Sequence, residues 1–435
     1  MQEAFNDLIH QDFPFLKESK LLIAVSGGVD SVVLTHLCSK LKLNIALAHC
    51  NFNLRGEESD YDEAFVLNLG DQLDLEVFIE KFDTQEYAES NKLSIQMAAR
   101  ALRYSWFNEL AKQLKFDYIL TAHHADDNLE TFLINLSRGT GLEGLVGIPK
   151  INKKIVRPLL SFSREDIEIY ARSNNIEWKE DSSNASSKYL RNALRHDVVP
   201  KLKSLNTSFL QNFNTSQEYL NEAQSIVEDA VRRVKKKVVS VEGNRFKFNI
   251  KKLNKLTNKK AYLYQLLKEY NFTQWNDIAD LLDAQSGKQI FSETHRLLKD
   301  RDYLLLSEIN SEEVQPIIIS NFNESVQTHL GMFTFNLVDG IQENSLNTIY
   351  LDKDKLEAPL TLRQWKQGDY FYPMGMQGKK KVSKYFKDEK LSLLDKENVW
   401  LLCSNGNIVW VVNRRGDDRF KITDSTKQIL KIELH

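Results

Sequence analysis

Cysteine is scarce: three in 435 residues, Cys38, Cys50 and Cys403, far apart and in no CxxC pair. That excludes a disulfide framework and makes a reducing cytoplasm the expected compartment. Long apolar runs are missing too. Runs such as LLIAV at 21–25 fall far below the roughly 20 residues a membrane helix needs. The start, MQEAFNDLIHQDFPF, has neither a basic opening nor an apolar core, so no secretory signal is expected. There is no internal repeat and no low-complexity tract. Nor is there an excess of charge of one sign: the net of −2 argues against a uniformly basic nucleic-acid binder. What remains is an ordinary globular composition, 42% hydrophobic and 27% charged. At about 150 residues per domain, the length predicts two or three domains.

The balanced total hides an uneven distribution. Residues 55–90 carry 2 basic and 12 acidic side chains, residues 191–260 carry 16 and 6, and residues 345–435 carry 17 and 12. The runs RRVKKK at 232–237 and KKK at 379–381 place like charges side by side. Such charges repel unless an anion relieves them, so these regions read as surfaces for a polyanion or as solvated faces.

Periodicity sorts the first half into strands and helices in alternation. The apolar run 21–25 reads as a buried parallel strand, followed by a Ser-Gly-Gly turn, a helix over 32–43 and a strand over 44–49. Helices over 60–73, 94–114 and 126–137 and strands over 76–80 and 118–122 continue the pattern. Repeated βα alternation predicts an α/β fold built on a doubly wound parallel sheet. Beyond about residue 200 the alternation stops. Residues 201–235 read as polar helix, 245–300 as mixed, 307–316 as an acidic linker and 360–435 as strand-rich. The expected division is a nucleotide-binding domain over 1–205, a mainly helical middle domain over 206–345 and a small α+β domain over 346–435.

The sharpest motif is Ser26-Gly27-Gly28-Val29-Asp30-Ser31, directly after the first strand and opening a helix. Two glycines let the backbone approach an anion, and the amides at a helix N-terminus hold phosphate oxygens. Neither GxxxxGK[ST] nor GxGxxG is present, which excludes a Walker A loop and argues against a dinucleotide fold. A carboxylate such as Asp30 beside a polyphosphate calls for a bridging cation, and Mg²⁺ suits that place. His49 ends the second strand, where ligands sit in such sheets; it reads equally as ligand or core. Arg55 reads as surface. Arg100 and Arg103 are three apart on one helix, spaced to grip phosphate or carboxylate. His124, Asp127 and Glu130 share a helix face, able to bind Mg²⁺ or to steer an ammonium group. Zinc is disfavoured, because neither a cysteine nor a third histidine is near. Arg138 opens a glycine-rich loop, and Arg191 and Arg195 are one helical turn apart after Glu180-Asp181-Ser182-Ser183-Asn184. In residues 363–387 aromatics interleave with lysines, a pattern suited to base stacking with phosphate contact.

SGGVDS resembles the loop of the pyrophosphate-loop ATPases, of the adenine nucleotide alpha hydrolase-like fold, which adenylate a substrate with ATP. Together with AARALRY, AHHADDNLETFLINLSRGTGLEGL, EDSSN, YLRNALR and GDYFYPMGMQGKKKVSKYF, in this order, the chain resembles the bacterial tRNA(Ile)-lysidine synthases. The likeness spans essentially the whole chain and is loosest over 206–345. It departs at Gln96, where the family commonly has glutamate, and at Phe52-Asn53, where a histidine is often found.

The resemblance implies adenylation of C2 of cytidine 34 in the CAU anticodon of tRNA(Ile), then displacement of AMP by the ε-amine of free L-lysine. The product reads AUA in place of AUG. Ser26, Gly27, Gly28, Val29, Asp30, Ser31, His49 and Arg100 are then expected around ATP, with Asp30 also at Mg²⁺. Asp30, Asp127, Glu130 and Arg191 are expected in catalysis. His124, Arg103, Arg138, Arg195, Lys379, Lys380 and Lys381 are expected on substrate. ATP, Mg²⁺, free lysine and the tRNA are the implied partners, with no membrane; a homodimer is one assembly open to it. Of the rivals, a tRNA thiolase lacks its cysteine pair here, and an amide-forming ATP pyrophosphatase leaves the basic, aromatic C-terminal region unexplained. A non-catalytic tRNA binder would not need an intact SGGVDS.

Overall fold

The computed structural model describes residues 1–179, 190–309, 315–322, 325–341 and 345–435. The chain forms two compact units, Met1–Asp229 and Ala230–His435.

The first unit opens with helix α1 (Gln2–Asp12) and then alternates: β1 (Leu21–Ala24), α2 (Val29–Lys40), β2 (Ile45–Asn51), α3 (Glu57–Leu73), β3 (Val77–Lys81), α4 (Thr84–Ser90), α5 (Ile95–Gln113), β4 (Tyr118–Leu120) and α6 (Ala125–Arg138). A short helix α7 (Leu142–Leu145), the hairpin β5 (Ile151–Asn152) and β6 (Ile155–Val156), and α8 (Arg164–Ser173) follow. The six strands form one sheet in the order β3-β2-β1-β4-β6-β5, parallel except at the β5–β6 edge. β1 is apolar throughout because both its faces are covered. Leu21 and Ile23 enter one core with α1, α2 and α8, and Leu22 enters the other with Phe107 and Leu110 of α5. α2 starts three residues earlier than periodicity predicts, because Gly28 is its N-cap and Asp30 sits in its first turn. The chain leaves β1 toward β2 on one side and returns to β4 on the other. Ligands collect at the carboxyl ends of strands where the order reverses in this way. The glycine turn follows β1 there, and His123-His124 follows β4. The unit continues with α9 (Leu190–Ala193), a π turn over Leu194–Val198, α10 (Val199–Leu205) and the long α11 (Phe209–Val238), within which the division between units falls.

In the second unit, β7 (Val239–Glu242), β8 (Arg245–Asn249), β9 (Gln289–Phe291), β10 (His295–Asp300) and β11 (Tyr303–Glu308) form an antiparallel sheet in the order β7-β8-β11-β10-β9. The helical character expected between 206 and 345 is carried by α11 and by α12 (Ile250–Leu253), α13 (Lys259–Leu267) and α14 (Trp275–Asp280). Helices and sheet share one core around Leu253, Leu267, Leu281 and Leu304. The expected linker at 307–316 begins inside β11, and residues 310–314 lie outside the described ones. Two four-stranded sheets complete the unit. One joins β12 (Ile317–Ile319), β16 (Leu360–Gln364), β19 (Trp400–Ser404) and β20 (Asn407–Val411); the other joins β13 (Val326–Thr328), β14 (Gly331–Val338), β21 (Ile429–Leu434) and β15 (Thr348–Asp352). They pack around Trp410, Phe333 and Leu402. A two-stranded ribbon, β17 (Tyr370–Phe371) with β18 (Lys380–Lys381), leads into α15 (Val382–Asp388), and α16 (Leu393–Glu397) precedes β19. No helix among the described residues is long and apolar enough to cross a membrane.

Candidate active site

The glycine turn is built for close approach. Gly27 holds φ at +89°, a conformation that side chains disfavour, and its carbonyl accepts the Lys179 N–H at 2.9 Å. Gly28 needs no special φ. A Cβ there would meet only Ser26 Oγ, at 3.6 Å, so the space over it is open. Ser31 Oγ donates to the Gly28 carbonyl at 2.9 Å and accepts the Ser26 N–H at 3.2 Å, which closes the turn. Glycine has no side chain to cap α2, so the amides of its first turn are left for an anion. Val29 is buried in the core and offers only its backbone.

Asp30 leans over this turn. Its Oδ2 accepts from Arg164 at 2.6 Å, and its Oδ1 is buried without a hydrogen-bond partner among the described residues. Burial raises its pKa, against the pull of His124 and Arg164. An orphaned, burial-stressed carboxylate oxygen fits a hard cation. Mg²⁺ binds through one or two carboxylates and takes its other ligands from phosphates and water. No cluster of three metal-ligating side chains occurs among the described residues, so such an ion would depend on the nucleotide for the rest of its shell.

The N-terminus of α6 brings the second group together. His124 is its N-cap, and Asp127 Oδ2 accepts the His124 N–H at 3.2 Å. The buried His124 ring places Nε2 3.4 Å from Asp127 Oδ2 and 3.8 Å from Asp30 Oδ1. Arg195 reaches in from the π turn. Its Nε donates to Glu130 Oε1 at 2.6 Å, and its second guanidinium nitrogen donates to Glu130 Oε2 at 3.1 Å and Asp127 Oδ1 at 3.0 Å. Arg191 donates to Thr131 Oγ1 at 2.6 Å. Burial alone would raise the Asp127 pKa, but His124, Arg195 and the hydrogen bond from the His124 N–H act against it, and the net shift is downward. Glu130 goes the other way, raised by burial in spite of Arg195. Burial pushes His123 down to about 4, so its ring is neutral; its Nδ1 shares a hydrogen bond of 3.0 Å with Thr121 Oγ1.

Two cavities flank this helix end. One, of about 240 Å³, is lined by Ser26, Asp30, Ser31, Arg103, His123, Asp127 and Arg191, with Phe52, Tyr104 and Phe107 as apolar wall. The other, of about 440 Å³, is lined by His124, Asp126, Glu130, Glu165, Glu168, Arg164, Arg195 and Lys203. Asp126 and Asp127 are adjacent in sequence and line different cavities. Asp126 is itself engaged, by the Arg164 N–H at 2.8 Å and by Lys203.

The structure redraws several expectations. His49 does not line the nucleotide cavity: it is buried and its Nδ1 donates to the Val25 carbonyl at 2.9 Å, pinning the entry to the glycine turn. Glu130 is only 1% exposed and is gripped by Arg195. Arg195 is held by carboxylates through Nε and one terminal nitrogen, and it lines the second cavity. Arg103 lines the cavity and stacks over Phe52 at 5.2 Å, whereas Arg100 lies over Tyr104 at 5.0 Å and outside the lining. Arg138 is exposed in the last turn of α6, about 16 Å along the axis from Asp127. Glu180-Asp181-Ser182-Ser183-Asn184 lie outside the described residues.

In the second unit the lysine run divides. Lys380 turns inward to Asp388 at 2.7 Å, while Lys379 is exposed over Tyr370 at 5.2 Å and Lys381 is exposed. Strand geometry explains this, since successive side chains in β18 take opposite faces. Of the aromatics there, Phe371, Tyr385 and Phe386 are core, and Tyr370 is 46% exposed. Arg164 and Lys203 were invisible to motif reading. A Ser163–Asp166 capping box marks the start of α8, but nothing local ties Arg164 to Asp30, 134 residues away.

Residues 1–202 match the PP-loop domain, 241–309 the TilS substrate binding domain and 360–434 the TilS substrate C-terminal domain. The chain is 42% identical over 427 residues to the tRNA(Ile)-lysidine synthase of Parabacteroides distasonis, with 97% of each chain covered. It is 37% identical over 424 residues to that of Bacteroides thetaiotaomicron, again with 97% of each covered. Among solved structures, the U34-tRNA thiolase NcsA of Methanococcus maripaludis aligns at 18% identity and a TM-score of 0.42, over 51% of this chain and 78% of that one.

Proposed function

This chain belongs to the tRNA(Ile)-lysidine synthase family, and from that premise we propose how its own residues carry the reaction. The reaction is ATP-dependent ligation of L-lysine to C2 of cytidine 34 in the CAU anticodon of tRNA(Ile), with release of AMP and diphosphate. The observation that carries the reading is the meeting, in one cavity, of an uncapped glycine turn with Asp30 and the N-terminus of α6.

ATP lies with its phosphates over Gly27 and Gly28, on the amides of α2. The cytidine O2 attacks the α-phosphorus and diphosphate leaves; the amides receive the charge without reorganising. Mg²⁺, held by Asp30 and the phosphates, would supply further charge neutralisation there. The poor leaving oxygen at C2 thereby becomes part of AMP. The ε-amine of lysine then attacks C2, AMP departs, and the amine sheds a proton. Asp127 is the ionised carboxylate beside both the cavity and His124, placed to attract the ammonium and to take that proton. Glu130 and Arg195 hold Asp127 in place. Free lysine suits the second cavity, where carboxylates and guanidinium groups alternate to match a zwitterion with a second ammonium. Arg103 and Phe52 offer a cation and a ring to the entering base. The target base lies in a loop, so no duplex need open. The enzyme works in the cytoplasm, where its tRNA is.

The test is nucleoside mass spectrometry of CAU-anticodon tRNA(Ile) incubated with the protein, ATP and lysine. The lysine adduct of cytidine 34 is expected only when both are present. Unmodified cytidine under all conditions would refute the assignment.

A further inference from the structure

Arg164 stands out because it touches the nucleotide side of the site from an element the motifs do not include. Its guanidinium donates to Asp30 Oδ2 at 2.6 Å while its Nε donates to Glu168 Oε1 at 2.8 Å, one turn along α8. The side chain is 40% exposed, so its charge is solvated wherever it rests. Glu168 also receives Arg172, at 3.6 Å. The backbone at Arg164 is anchored independently. Its N–H donates to Asp126, and Ser163 and Asp166 cap the helix beneath it. The guanidinium can therefore move without disturbing α8. On the other side, Asp30 Oδ1 is buried and makes no hydrogen bond among the described residues; His124 Nε2 lies 3.8 Å from it, beyond hydrogen-bond reach. Asp30 thus has one oxygen hydrogen-bonded by a tethered cation and one with no hydrogen bond.

Two cations on one carboxylate repel each other, and Mg²⁺ demands near-octahedral oxygen ligands at about 2.1 Å. A guanidinium 2.6 Å from the neighbouring oxygen competes with that shell. We propose that Arg164 is a stand-in cation for Asp30, which holds the carboxylate paired and in place in the nucleotide-free enzyme and withdraws onto Glu168 when Mg²⁺ and ATP arrive. Arg164 is then a positioning residue that sets the Mg²⁺ concentration at which nucleotide binds. The inference rests on the reading that Asp30 meets Mg²⁺ and ATP.

The test is calorimetric titration of Mg²⁺ into the full-length protein at a fixed concentration of a non-hydrolysable α,β-methylene ATP. Arg164→Met keeps the stem and removes the competitor. Half-saturating Mg²⁺ should fall by roughly three- to tenfold, the range expected for one partly screened charge-assisted pair. Glu168→Gln removes the retreat, so half-saturating Mg²⁺ should rise, and the double variant should match Arg164→Met alone. Opposite shifts of this kind cannot come from a general loss of packing, and thermal melts of both variants verify folding. Unchanged Mg²⁺ dependence in Arg164→Met would overturn the proposal. So would a rise in its lysine KM without any Mg²⁺ shift, which would reassign Arg164 to substrate. Asp30→Asn separates the two readings: if it leaves Mg²⁺-dependent nucleotide binding intact, the assignment of Asp30 itself fails.

Discussion

Two concentrations of charge in this chain obey different rules. At the N-terminus of α6, largely buried carboxylates are interlocked with partly exposed cations: Arg195 serves Glu130 and Asp127 together, Lys203 serves Asp126, and Arg164 serves Asp30. On the β17–β18 ribbon, Lys379 and Lys381 face water, backed by Tyr370. A buried charge must have a partner, so each member of the first cluster depends on the others. An exposed charge is already solvated, so members of the second act singly. The contrast suits the tasks proposed for them: chemistry needs fixed geometry, whereas docking of an RNA backbone needs only charge at roughly the right place.

The largest effect should come from filling the cradle. Gly28→Val should lower diphosphate release by at least about 100-fold, the scale of losing preorganised donors. Its melting temperature should stay within error, since a Cβ there meets only Ser26 Oγ. A variant that releases diphosphate normally would remove the turn from the mechanism.

Next comes the interlock. Arg195→Met leaves buried Glu130 with only the 3.4 Å ion pair to Arg191 and should cost about 2–3 kcal/mol, below the full buried-pair value because that pair remains and the Arg195 side chain is 32% exposed. Adding Glu130→Gln should recover part of that loss. Denaturant melts of the four proteins measure the coupling, and simple additivity would show that the pair is not interlocked.

A smaller effect is a pH signature at Asp30. Its folded pKa is raised, so the fold binds this proton more tightly than the unfolded chain does, and its contribution grows as pH falls. Compared with Asp30→Asn, the wild type should gain relative stability as pH drops from neutral toward the ordinary carboxylate value of 3.8. A constant gap between the two melting temperatures across that range would contradict the burial effect.

The smallest effects belong to the ribbon. Replacing Lys379 and Lys381 by alanine should weaken tRNA binding and reduce its logarithmic salt slope by about 2, one unit per phosphate contact. Lys380→Ala should leave the slope alone, because that side chain is held by Asp388. Filter binding over a salt series decides between them. Equal slopes for all three proteins would make the ribbon a solvated face and move RNA docking to 191–260.

Much of this was legible in the chain itself. Backbone periodicity determined the βα order, the doubly wound sheet and the grouping of His124, Asp127 and Glu130 on one helix face, because these depend on neighbours a few residues apart. Gly27 and Gly28 declared the anion turn for the same reason. Only the tertiary structure decided which cations meet those acids: Arg164 reaches Asp30 across 134 residues, and Arg195 reaches Glu130 across 65. Such pairings follow from how α8 packs against α2 and the π turn against α6, and no local pattern encodes a crossing. Tertiary burial likewise put His49 and Glu130 in the interior, with their polar atoms on the Val25 carbonyl and Arg195. The β17–β18 pairing split one lysine run into two faces, since adjacency in sequence says nothing of direction until a strand alternates it.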